Sequence, residues 1–333
     1  MINNAQRIRF LRLLPVFCTI AVFCLILGYF ITPQLLISLG PMQRSLTSDI
    51  ESVRKMAYLE VALLKVLFYI LAVLLIVVVV SWKRVINSSF VRLINDHMPP
   101  ESERHSTFNL SFLIMTCCLV VGVLYMRAGA YVFTPIQLNM INMENGIIEN
   151  LSVLFLIIAF LFSVTLLLKL RAQRARFVMH GIMAFLFFLM AGEEMSWGQN
   201  LFDLAEPAIL NGINVQGEIN LHNMFGYFAD HFFIAGIFIY GFVLPFFAHF
   251  SPFCRKFFDF FGIPIASLGL AIGFFMVSML QNWIAGALIA LPAGFRIEEL
   301  RELLTAIALS VLMWESWLLL NGKNKRMEPS FKT

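Results

Sequence analysis

Glu193 and Glu194 stand side by side in MAGEEMSWGQN, directly after the apolar run HGIMAFLFFLMAG and with no basic residue nearby. Ionisable side chains at membrane depth are costly and mark a functional site by default. Adjacent residues of a helix point about 100° apart, so the two carboxylates cannot both face one spot; Glu193 shares a face with Trp197, four residues on. Downstream, GEINLHN sets Glu218 and His222 four apart, a helical spacing at which a carboxylate and an imidazole reach one ion or share a proton. In RIEELREL, Glu298, Glu299 and Glu302 fall on the first turns of the last apolar helix, with Glu298 and Glu302 on one face. Such acids are also at home at a helix N-terminus for the sake of its dipole alone.

Two chemistries fit these residues. Glu193, Glu194 and His222 are the catalytic candidates, joined by one acid of Glu298, Glu299 or Glu302. A divalent metal held among Glu194, Glu218, His222, Glu298 and Glu302 would activate water or a hydroxyl. Without metal, a glutamate would act as general base. Trp197, Gln199 and Asn223 are candidate substrate contacts. Lys65 and Arg127, inside apolar stretches, would either bind an anionic group such as a phosphate or pair with Glu60 and Glu149. No Gly-x-Ser-x-Gly, Walker or His-Glu-x-x-His segment narrows the reaction.

The elements that must position these residues are membrane helices. The chain has 333 residues, of which 60% are hydrophobic and 13% charged, where soluble domains carry about 25% charged residues. Eight runs approach the roughly 20 residues that cross a bilayer: 11–31, 58–82, 109–132, 150–170, 177–197, 231–250, 262–288 and 301–320. The expected fold is one all-α, polytopic membrane domain. With a cytoplasmic N-terminus, 17 of the 24 Lys and Arg residues fall on the cytoplasmic side, among them Arg7, Arg9, Arg12, Lys169, Arg171, Arg174 and Arg176. The positive-inside rule therefore favours both termini inside. Fourteen of the 20 acids fall on the outer side or in outer helix halves, which puts the candidate site at the extracytoplasmic face. The first apolar run exceeds a signal-peptide core and lacks a clear cleavage site, so it reads as a retained first helix. The five cysteines show no Cys-x-x-Cys spacing and fit neither a disulfide framework nor a zinc knuckle. His180, His249, Trp314, Glu315 and Trp317, near the cytoplasmic ends, read as packing or interface residues.

Two outer connections are long. The charges of PMQRSLTSDIESVRKMAY, within 32–57, fit a short surface helix. Residues 198–230 are rich in Asn and Gly yet keep Leu, Ile and Phe throughout, unlike a disordered linker. They read as a structured cap between helices five and six, or a partly re-entrant segment. The two halves show no inverted copy of one another, and the inner halves of the helices read as Leu, Val, Ile and Phe; both weigh against a transporter.

GEEMSWGQNLF, INVQGEINLHN and the acidic EELREL resemble a group of bacterial multi-pass inner-membrane proteins. That group shares a Gly-Glu-Glu-x-Ser-Trp-Gly-Gln segment and a downstream Asn-x-Gln-Gly-Glu-x-Asn-Leu-His-Asn segment. The likeness covers about residues 190–224, with a weaker echo near 296–303. It implies the topology and points to Glu193, Glu194, Trp197, Gln199, Gln216, Glu218, His222 and Asn223, and it implies no reaction. The expectation is a hydrolase or transferase acting on a membrane lipid or lipid-linked glycan, with no nucleic-acid partner. The alternatives are an ion- or proton-coupled transporter and a non-catalytic partner in envelope assembly.

Overall fold

The computed structural model describes residues 4–39, 46–49, 51–81, 104–143, 146–202, 227–281 and 295–327. Every regular element among the described residues is helical. Two units divide the chain: residues 1–98 with 226–230, and 99–225 with 231–333.

The first unit contains α1 (Asn4–Phe30), α2 (Pro33–Leu39) and α3 (Glu51–Val80). α1 and α3 pack along one another. Gly28 permits this at its level, because a Cβ there would lie 2.8 Å from the Tyr69 ring. Glu51, Arg54 and Lys55 form the first turns of α3, and α2 is apolar; most of 40–50, where the short surface helix is expected, lies outside the described residues.

The second unit contains α4 (Arg104–Val132), α5 (Pro135–Asn142), α6 (Ile147–Lys169), α7 (Arg174–Glu194) and α8 (Gln199–Phe202). α9 (Tyr227–Phe238), whose first residues belong to the first unit, runs through a π-helical turn, Ile239–Val243, into α10 (Leu244–Phe250). α11 (Pro252–Phe261), α12 (Leu268–Ser278) and α13 (Ile297–Met327) follow.

Among the described residues, six stretches are long and apolar enough to cross a membrane: Ala57–Val80, Asn109–Gly129, Pro135–Lys169, Arg174–Glu194, His231–Phe250 and Ile297–Asn321. They match six of the eight expected segments. In the other two, the described residues contain the shorter apolar helices Phe17–Phe30 and Leu268–Ser278. Residues such as Leu124, Leu161 and Phe185 are exposed on the helix faces. In water this much exposed apolar surface is a liability; in lipid it is the required exterior, and the chain has the character of a multi-pass membrane protein.

α13 is the axis of the second unit. Its Ile297, Leu300, Leu304, Ala308 and Leu312 are buried, the i, i+3, i+4 rhythm of an inward face. α6 runs parallel to it: Ser310 donates to the Phe155 carbonyl at 2.5 Å, Phe162 and Trp317 rings lie 6.1 Å apart, and Lys169 donates to Asn321 at 2.8 Å. α7 returns antiparallel to α6 after the turn at 170–173. These directions bring the start of α6, the end of α7 and the start of α13 to one end of the bundle.

The seventh expected segment is not a continuous helix. α11 ends on Gly262 at φ 70°, residues 263–267 are non-helical and largely buried, and α12 starts after Ser267. Non-helical backbone at membrane depth survives where protein covers it and meets its hydrogen bonds. Tyr240, in the π-helical turn, donates to the Pro264 carbonyl at 2.7 Å. Glu315 of α13 accepts from the Ser267 backbone N–H at 2.9 Å and from its hydroxyl at 2.6 Å. Gly241, in the same π-helical turn, lets the helix approach α12 closely: a Cβ there would lie 2.3 Å from the Phe274 ring.

Candidate functional site

The segment that holds the glutamate pair folds back on itself. α7 stops at Glu194, short of the expected 197, and Ser196, Trp197 and Gly198 then take φ values of 46°, 53° and 79°. The left-handed region is natural for glycine and strained for serine and tryptophan, costing about 1–2 kcal/mol per residue, so other contacts must hold the turn. They are visible. Ser196 is buried, the Trp197 ring lies 6.0 Å from that of Phe188, and Trp197 Nε1 donates to Glu193 Oε1 at 2.8 Å. A Cβ on Gly192 would come within 2.8 Å of the indole, so glycine is what allows the ring to lie against α7. Glu193 and Trp197 do share a face, by chain reversal rather than by helical periodicity. The reversal commits one oxygen of Glu193 to the indole.

Glu194 has different surroundings. The like charges of Glu149, Glu299 and Glu193 act on it. Glu149 is in the first turn of α6 and Glu299 in the first turn of α13, where the helix dipole favours an anion. Glu193 and Glu194 occupy the last turn of α7, where the dipole opposes an anion and the turn itself carries no basic residue. Clustered carboxylates in a partly dry setting repel, and a cation or a shared proton relieves the repulsion. This end of the bundle can hold and move a proton or attract a cationic group.

Two charged residues outside the expected site, one of them not singled out in the sequence, belong to the interior of this unit. Arg301 is 3% exposed on the inward face of α13, and its Nη1 lies 3.5 Å from Gln281 Oε1. Its signal is a charge among Ile297, Leu300, Leu304 and Ala308. Glu315, read from sequence as packing or interface, is 2% exposed and accepts from Ser111 at 2.5 Å as well as from Ser267. It joins α4, α12 and α13 about 21 Å from Arg301 along the helix. Buried polar groups therefore extend beyond the acidic end, which the apolar reading of the inner helix halves did not anticipate.

The remaining expected site residues are scattered. Of the three candidate acids at the α13 start, Glu299 acts on Glu194, and Arg296 approaches Glu299 at 3.7 Å; Glu298 and Glu302 are half-buried on the same first turns. Gln199, half-buried, opens α8 directly after the reversed turn. Arg127, expected to be buried, is exposed on α4, and no described acid pairs with it. Lys65 is half-buried on α3 in the first unit, and Glu60 is buried on the same helix. Glu218, His222 and Asn223, with Gln216 and most of the expected cap, lie outside the described residues. Among the described residues no three of His, Cys, Asp and Glu are arranged to hold a metal ion. Glu218 and His222 of the expected metal set are not among those residues.

No protein family, curated protein or solved structure matches the chain.

Proposed function

We propose that the chain is a bacterial inner-membrane enzyme whose working site is the acidic end of the second unit, with Glu194 as the acid–base carboxyl. The substrate class is a membrane lipid or lipid-linked glycan, transformed by hydrolysis or group transfer. The observation that carries this is the packing of α6, α7 and α13, which brings the helix ends bearing Glu149, Glu193, Glu194 and Glu299 to one end of the bundle, with two of the four at a helix end whose dipole opposes them. Neighbouring carboxyls in unlike environments divide the acid and base roles between them. Glu193, engaged by Trp197, is the positioning member, and Glu194 is the one left to act on substrate. At the end of a membrane-length helix, such a site meets headgroups while acyl chains stay in the bilayer.

Eight spans with both termini cytoplasmic complete this reading. α1 and the broken segment around α12 would supply the two crossings beyond the six, and Lys169, Arg171, Arg174 and Arg176 cluster at the opposite end from the acids, as the positive-inside rule asks. The cap at 198–230 would bring Glu218, His222 and Asn223 over the acids. A divalent metal would then have the imidazole that the described acids lack. The resemblance of the 190–224 region to bacterial inner-membrane proteins supports the same topology.

One observation favours the transport alternative. A broken helix with unwound backbone, opposite a π-helical turn and ending on a buried carboxylate, is a recurring design of transporter binding sites.

One experiment addresses both. Cells carrying Glu194→Gln or Glu299→Gln at normal protein levels are compared with wild-type cells and cells lacking the chain. In lipid and surface-glycan profiles, Glu194→Gln is expected to match the cells lacking the chain, and Glu299→Gln to shift part of the way. Unchanged profiles remove the catalytic assignment; unchanged profiles with altered cation uptake into proteoliposomes move it to transport.

A further inference from the structure

α11 is ten residues long, about 15 Å, and too short to cross a bilayer. It is nevertheless an independent helix. Ser251 Oγ accepts from the Cys254 N–H at 3.3 Å, Pro252 takes the first helical position, and Gly262 closes the far end at φ 70°. Its C-terminal turn is seated on α7: Arg176 donates through Nε and Nη2 to the Asp259 carbonyl at 3.3 and 3.2 Å, and its stem lies against Gly262. This places α11 at the basic end of the second unit, beside the α6–α7 turn with Lys169, Arg171 and Arg174.

The helix is sharply two-sided. Phe258 is buried in a small core with Ala248 and Ile265, and Phe257 and Cys254 pack against that core. Further phenylalanines flank two adjacent cations, Arg255 and Lys256, with Asp259 as the single acid of the helix. The Arg255 side chain is half-buried, its Nε is withdrawn from solvent, and it makes no hydrogen bond or ion pair among the described residues. A guanidinium partly removed from water without an acceptor is costly, and a phosphate oxygen supplies the acceptor it lacks in a geometry it matches well.

We infer that α11 lies in the membrane interface and that Arg255, assisted by Lys256, binds the phosphate of an anionic phospholipid headgroup. Charge complementarity selects the occupant: aromatic, basic, amphipathic helices settle at the headgroup–acyl boundary, and each basic residue there adds attraction to anionic lipid. The site is at the opposite end of the unit from Glu194 and does not depend on the reaction proposed for that end.

The test is native mass spectrometry of the full chain released from neutral detergent, titrated with phosphatidylglycerol or phosphatidylcholine. The wild type retains phosphatidylglycerol in preference, and Arg255→Gln with Lys256→Gln reduces that retention by about tenfold while leaving phosphatidylcholine unchanged. The wild-type preference also weakens as ionic strength rises, a readout that needs no variant. A double variant with undiminished preference overturns the proposal, as does a wild-type preference that ignores salt. Displacement of the lipid by inorganic phosphate at matched concentration overturns the lipid assignment in favour of free phosphate.

Discussion

Glu193 and Glu194 are chemically identical neighbours with different fates. Glu193 accepts the Trp197 N–H, while Glu194 experiences three other carboxyls. The Trp197 hydrogen bond helps hold two non-glycine residues in left-handed backbone, so its removal should release strain into disorder rather than into a better structure. Trp197→Phe is expected to destabilise the detergent-solubilised protein by about 1–3 kcal/mol. Gly192→Ala, which drives a methyl into the indole, should cost a similar amount. Both appear as a lower thermal midpoint; a midpoint equal to wild type for Trp197→Phe would mean that the bond does not hold the turn. The sequence shows that this pair is unusual and that Trp197 accompanies it. It does not show the reversal, because serine and tryptophan have no local preference for positive φ. Phe188 and Gly192 impose it through contacts that residue types alone do not announce.

At the scale of elements, helices were legible wherever apolar residues ran long enough, and their breaks were less so. The run 262–288 hides its interruption under continuous apolarity. The signals present are Gly262, suited to a left-handed cap, and Pro264, which biases its predecessor out of the helix. What makes the break tolerable lies 48 residues away: Glu315 fills the acceptor role at the start of α12. Removing that carboxylate strands the Ser111 hydroxyl and both donors of Ser267 in a dry core. Glu315→Ala should therefore lower stability by about 3 kcal/mol or more, while Glu315→Gln, which keeps an acceptor oxygen, should lose less. Thermal unfolding of both variants in detergent checks the order. Equal stability of Glu315→Ala and wild type would contradict a structural role for the junction.

Across the whole molecule, charge sorts with helix direction. The second unit carries acids where α6 and α13 begin and α7 ends, and basic residues where α6 ends and α7 begins. Counting Lys and Arg along the sequence anticipated this polarity, since it needs only the order and number of helices. Which acids meet was not legible. Glu299 and Glu149 come from helices separated by more than a hundred residues, and their approach to Glu194 follows from the parallel packing of α6 with α13. The inward position of Arg301 was not legible because it stands among three acids, Glu298, Glu299 and Glu302, in a run that reads as an ordinary charged helix start. The central claim is that Glu194, rather than its neighbour, carries the function. The most direct measurement compares Glu194→Gln with Glu193→Gln, at equal protein levels, for the ability to restore the lipid and surface-glycan profile of cells lacking the chain. Glu194→Gln should fail to restore it and Glu193→Gln should restore it in part; full restoration by Glu194→Gln would contradict the claim.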